Sequence, residues 1–118
     1  MAARSLVPRL TDIIEAIERI QGVLSDTSLE VFEADWRCQW LVQRGVEIVS
    51  EASRHLTDDL KARHPEIPWK KVAGIGNVLR HNYESLAASI LWKLATEELT
   101  SLEQVCRHEL AAEQARGK

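Results

Sequence analysis

From residue 10 to residue 24 apolar side chains recur at helical spacing. Leu10, Ile13, Ile14, Ile17, Ile20, Val23 and Leu24 fall on one stripe, and Asp12, Glu15, Glu18 and Arg19 lie outside it. The pattern predicts a first helix opened by Thr11 or Asp12 as cap. Residues 25–28, Ser-Asp-Thr-Ser, form a turn cluster, and Ser28 suits the start of a short helical segment over residues 29–34. The longest pattern covers residues 35–60. Cys38, Leu41, Gly45, Ile48, Ala52 and Leu56 recur every three or four residues, with Val42, Val46 and Val49 beside them. One long amphipathic helix is expected, bent near Gly45.

Two prolines, Pro65 and Pro68, then mark a loop, and Pro68 suits the first turn of a new helix. That third major helix is expected over residues 69–83, with Val72, Ile75 and Leu79 facing inward. Residues 86–94 form a shorter apolar segment around Trp92. Thr96 or Thr100 is expected to cap a last helix through Leu102, Val105, Cys106 and Leu110, with residues 111–118 as a frayed tail. No strand-like alternation, repeat or linker interrupts the chain. The prediction is an all-α fold, an antiparallel, up-and-down bundle of four to five helices occupying residues 1–118 as one domain.

Composition supports the helical reading. Ala, Leu, Glu, Arg and Gln all favour helix, and three Pro and five Gly leave few points at which a helix must stop. A chain of 118 residues, 45% apolar and 28% charged, can bury a core without disulfides or metals. The net charge of -3 argues against nucleic-acid binding through bulk positive charge, but it leaves room for a nuclease with a small local basic site. Cys38 and Cys106 are too few for a disulfide scaffold. With no secretory signal they are expected to be reduced core thiols in a cytoplasmic protein. No window approaches the roughly 20 apolar residues of a membrane span.

Candidate chemistry concentrates on the third helix. Asn77, Arg80, His81 and Glu84 are spaced i, i+3, i+4, i+7 and share one face, away from Val72, Ile75 and Leu79. A histidine moves protons near neutral pH, an arginine holds phosphate and stabilises charge developing on it, and an asparagine orients either. The set suits phosphodiester cleavage, and it equally suits a solvated polar face. All four histidines follow an arginine, at 54–55, 63–64, 80–81 and 107–108, so the dipeptide alone carries no information. Cys106 and His108 stand two apart and diverge on a helix, and no metal site or cofactor is expected. Gly74-x-Gly76-Asn77 has no preceding strand and is not a phosphate loop. Trp36 and Trp40, four apart, read as a packing pair. Lys70 and Lys71 read either as solvated helix-start charges or as contacts to RNA phosphates. Arg44, Glu47, Glu51 and His55 read as a polar stripe.

The surrounding residues discriminate further. Pro68-Trp69 followed by Gly74-Ile75-Gly76-Asn77-Val78-Leu79-Arg80-His81-Asn82-Tyr83 resembles the signature of the HepT-like HEPN toxins: a Trp near the helix start, an Arg-Asn or Gly-Asn pair, and then His-x-Tyr. Residues 9–17, residues 48–52, and Trp92 with Leu99 and Leu102 are similar to the same family. The resemblance implies a dimeric helical bundle with a metal-independent ribonuclease site at the dimer interface, built on an R-x(4–6)-H motif. It implies a small nucleotidyltransferase antitoxin as partner, which silences the toxin by adenylylating the Tyr of His-x-Tyr.

By that resemblance His81 is the catalytic histidine, Tyr83 the modified tyrosine and Asn77 the asparagine that follows the usual arginine, while Glu51 occupies a supporting position. Gly74, Ile75 and Gly76 occupy the three places where the motif arginine would stand, so the strict motif is absent and Arg80 is the nearest arginine. Two readings follow. In the first the chain is a toxin cutting RNA with Arg80 and His81. In the second it is a catalytically inactive binding module that docks on the nucleotidyltransferase and serves as its substrate. Gly76 favours the second; the intact Arg80-His81-x-Tyr83 favours the first.

Overall fold

Pro8 sets the start of the first helix. The computed structural model describes residues 5–82 and 88–116, with the backbone alone at 80–82. Helix α1 (Val7–Leu24) begins about one turn before Thr11, because Pro8, with its fixed φ and no N–H to satisfy, suits a first turn, and the Ser5 hydroxyl accepts the Val7 N–H at 3.1 Å. Its stripe is buried as the periodicity predicts, with Leu10, Ile13 and Ile17 wholly so. Ser28 caps α2 (Leu29–Ala34) by accepting the Val31 N–H at 3.2 Å, which places Phe32 in the core.

Helix α3 (Trp36–Ser53) is capped by Asp35, whose carboxylate accepts the N–H groups of Arg37 and Cys38. It stops at Ser53 instead of running to Leu60. A turn follows, and Thr57 accepts the Leu60 N–H at 3.3 Å to open α4 (Asp58–Arg63). The break folds Leu56 and Leu60 into the core, and α4 carries acids in its first turn and bases in its last, the favourable order for the helix dipole. Gly45, where a bend is expected, marks a close approach of two helices. A Cβ there would stand 2.6 Å from Ile20 Cγ1, too near for any side chain unless Ile20 shifts.

Helix α5 (Trp69–Asn82) starts directly after Pro68, as expected. Its first residue is anchored, since Trp69 Nε1 donates to the carbonyls of Lys61 and His64. Helix α6 (Ala88–Lys93) passes through a π-helical turn, Leu94–Glu98, into α7 (Leu99–Arg116). Neither Thr96 nor Thr100 caps a new helix. The chain stays helical from Ala88 to Arg116, and Thr96 turns its hydroxyl back onto the Trp92 carbonyl at 2.8 Å, a bond that competes with capping. Helix α7 also continues past Leu110 through six residues assigned above to a frayed tail; an Arg116–Glu113 ion pair and the buried Glu109 tie down this last stretch.

Helix α1 packs on α3 and α7, and α3 packs on α5, giving the all-α bundle the pattern predicts. Among the described residues there is no strand, and no helix is long and apolar enough to cross a membrane. Cys38 and Cys106 are buried free thiols; burial pushes Cys106 up to about 12, so it behaves as a small apolar core residue.

Candidate functional site

The candidate site is carried by the second half of α5, so what holds α5 in place comes first. The Ser50 hydroxyl on α3, itself buried, donates to the Ala73 carbonyl at 2.8 Å and receives the Gly76 N–H at 3.2 Å. Arg54, the C-cap residue that follows α3, donates to the same Ala73 carbonyl from Nε at 3.0 Å and from Nη2 at 2.8 Å. The Ser50 hydroxyl and three N–H groups, two from Arg54 and one from Gly76, thus meet within one turn of α5. Gly76 is buried against this clamp, whereas a Cβ at Gly74 would meet nothing within 4 Å.

A second set of contacts fixes the start of α5. Glu109 on α7 is buried, and its carboxylate receives Arg63 at 2.8 Å and meets His64 Nε2 at 2.6 Å. The Arg63 hydrogen bond, reinforced by His64, holds the Glu109 carboxyl down at about 2 against the pull of burial. His64 in turn offers its carbonyl to the Trp69 indole. An acid in the last helix therefore positions the loop that launches α5.

The expected site residues fall as follows. Asn77 is exposed on α5, and Ala73, Asn77 and His81 lie on one i, i+4, i+8 ridge. Arg80 and His81 occupy the last turn of α5, where the backbone alone is described. Tyr83 and Glu84 lie outside the described residues. Glu51 stands on α3, with Oε1 3.3 Å from His55 Nε2 and Oε2 3.8 Å from Arg54 Nη1, so it reaches α5 through Arg54. Lys71 pairs with Glu98 at 2.8 Å, while Lys70 is exposed. Trp36 and Trp40 pack on each other edge to face at 4.8 Å, but both are more than half exposed and contribute little to the core. Among the described residues no group of three His, Cys, Asp or Glu side chains is placed to hold a metal ion.

Two contributors, Ser50 and Arg54, are missed by the sequence pattern. The signal for Ser50 is a hydroxyl in the inward stripe of α3, beside Val46 and Val49. Arg54 carries no local signal beyond its Arg-His dipeptide.

Comparison with known proteins places this geometry in context. The family model for HepT-like ribonucleases matches residues 13–109. A Thermococcus cleftensis protein described as "Probable ribonuclease HepT" is 39% identical over 99 residues, covering 84% of this chain and 90% of that protein. A candidate RNase of Methanocaldococcus jannaschii is 29% identical over 104 residues, covering 88% and 95% respectively. A candidate RNase of Caldanaerobacter subterraneus subsp. tengcongensis is 31% identical over 97 residues, covering 82% and 83%. No solved structure matches the chain. With the matched span running from α1 into α7 and including every residue from Ser50 to His81, the chain belongs to the HepT-like ribonuclease family.

Proposed function

We propose that this chain is a metal-independent endoribonuclease, the toxin half of a toxin–antitoxin pair. In this reading residues 1–118 form one domain that works as a cytoplasmic homodimer and needs no cofactor. The observation that carries it is the family match over residues 13–109, which takes in Arg80, His81 and Tyr83 together.

The chemistry follows from the side chains. A 2′-hydroxyl of RNA gives up its proton as its oxygen attacks the adjacent phosphorus, and the 5′-oxygen leaves with a proton. His81 moves one of these protons. Arg80 balances the negative charge that accumulates on the phosphorane oxygens. The products are a 2′,3′-cyclic phosphate and a 5′-hydroxyl. Asn77 orients the phosphate or the imidazole, and Glu51 supports the site through Arg54.

Silencing is assigned to Tyr83, the only tyrosine of the chain. A partner nucleotidyltransferase transfers adenylate from ATP to its phenolic oxygen and releases pyrophosphate. In this reading the homodimer brings one subunit's Tyr83 toward the other's His81. The second reading, an inactive module that docks on the nucleotidyltransferase and is modified by it, is favoured by Gly74, Ile75 and Gly76 in the places of the motif arginine.

Coexpression with a nucleotidyltransferase separates the two. We expect the wild-type chain to gain adenylate mass and the Tyr83→Phe chain to gain none, and RNA to be cut by the unmodified wild type and by Tyr83→Phe but not by the adenylylated chain. Modification at unchanged stoichiometry in Tyr83→Phe contradicts the assignment. Modification of Tyr83 without RNA cleavage by the unmodified chain selects the second reading.

A further inference from the structure

We infer that Arg54 is a phosphate-binding residue of the RNA site, supplying from α3 the cation that α5 itself lacks at positions 74–76. This inference rests on the ribonuclease reading for its substrate class and adds a residue to it.

The placement is specific. Arg54 is fixed on the Ala73 carbonyl by two N–H groups, Nε at 3.0 Å and Nη2 at 2.8 Å. These are two of the five donors of a guanidinium, so one Nη2 hydrogen and both Nη1 hydrogens are left pointing elsewhere. Among the described residues the carboxylate oxygen that pairs with them is Glu51 Oε2, which at 3.8 Å from Nη1 is beyond hydrogen-bonding distance. The Arg54 side chain keeps 37% of its surface exposed, so a phosphate can reach those donors.

The ridge it sits on is the relevant one. Ala73, Asn77 and His81 follow one another at i, i+4 and i+8, and a helical carbonyl points toward the C-terminal end, from Ala73 toward Asn77. Arg54 therefore stands at the foot of the ridge that carries His81. Two residues of the same turn of α5, Gly74 and Gly76, carry no side chain. Gly76 is buried with its N–H on Ser50, and a Cβ at Gly74 would meet nothing within 4 Å. Gly74 is seven residues before His81 and so shares its face, leaving a vacant surface one residue along from the Ala73 carbonyl that holds Arg54. Pre-orientation of a planar fork in this way is what bidentate phosphate recognition requires.

The test is a binding titration of the full-length chain with a fluorescent single-stranded RNA made entirely of 2′-O-methyl nucleotides, which cannot be cleaved through the 2′-oxygen. Arg54→Gln should raise the Kd about tenfold, the loss of one charged hydrogen-bonded contact. It should also flatten the slope of log Kd against log salt by about 0.7, the signature of one phosphate contact on a single strand. Arg54→Lys should keep the slope and lose part of the affinity. Gly74→Arg, introduced into the Arg54→Gln chain, should restore both affinity and slope, because it returns a guanidinium to the same vacant surface. Wild-type affinity and slope in Arg54→Gln would overturn the inference. So would a loss that Gly74→Arg fails to recover, which marks a role in seating α5 alone, and so would a wild-type chain that does not bind this RNA. A wild-type chain that binds in the expected way but cuts no unmodified RNA leaves Arg54 as a phosphate ligand and removes the ribonuclease reading instead.

Discussion

Replacing His81 with alanine is expected to slow RNA cleavage roughly 10²–10⁴-fold while leaving the helical content unchanged. The backbone places His81 in the last turn of α5, one helical turn after the exposed Asn77. The substitution removes the group proposed to move the 2′-hydroxyl or leaving-group proton, and alanine is the better helix former, so the helix itself gains. Arg80→Ala should cost on the order of 10²-fold, and Arg80→Lys should recover only part of it, because an ammonium lacks the planar two-pronged donor. Single-turnover cleavage of a labelled RNA, with circular dichroism of each variant, measures both. A His81→Ala protein that cuts at the wild-type rate removes the proposed mechanism.

The largest effect on stability is expected at Glu109. Its carboxylate is buried beside Arg63 and His64 and is held at about 2, against an ordinary value of 4.5. A folded-state value below the unfolded one means that the charged form is favoured by folding. The contribution is therefore complete above about pH 4.5 and is lost as the pH falls from there toward 2. The difference of roughly 2.5 units corresponds to about 3 kcal/mol.

Glu109→Gln removes the charge with little change of volume and leaves Arg63, which is half exposed, to be rehydrated. A loss of about 3 kcal/mol at pH 7 should lower the melting temperature by roughly 10 °C in a chain of this size. The wild-type melting temperature should fall more steeply between pH 4.5 and 2 than that of the variant, so that the two converge in acid. Because Glu109 also holds the loop from which Trp69 launches α5, the variant should lose RNA cleavage at temperatures below its own unfolding. Equal melting temperatures at pH 7 would show that the network contributes nothing.

The elements that were legible in the sequence are those whose causes are local. The stripe from Leu10 to Leu24, the Ser28 cap and the Pro68 start each follow from spacing or side-chain chemistry within a few residues. The end of α3 was not legible, because no Gly or Pro stands between Ser53 and Asp58. What breaks the helix there is the burial of Leu56 and Leu60 against the rest of the bundle. Thr57 followed by Asp58 and Asp59 is a start signal that the continuous apolar spacing hides. The π-helical turn at Leu94–Glu98 was likewise hidden, since one extra residue in a helical turn leaves the apolar rhythm nearly intact.

The candidate site divides along the same line. His81, Tyr83 and the departure at Gly74–Gly76 can be named from a contiguous stretch of residues that resembles one family. Arg54 cannot, because it is one of four arginines that precede a histidine, and its distinction is a carbonyl 19 residues away. Glu109 sits in the stripe of Leu102, Val105 and Cys106, where a charge is out of place. Only the fold shows that Arg63 and His64 arrive there to meet it.

Ribonuclease chemistry by Arg80 and His81 is tested most directly by incubating the purified, unmodified full-length chain with a single-stranded RNA in excess EDTA and identifying the ends of the products. Cleavage that persists in EDTA and leaves 2′,3′-cyclic phosphate and 5′-hydroxyl ends is the predicted result. Intact RNA at stoichiometric protein, or cleavage that stops in EDTA and leaves 5′-phosphate ends, would contradict it.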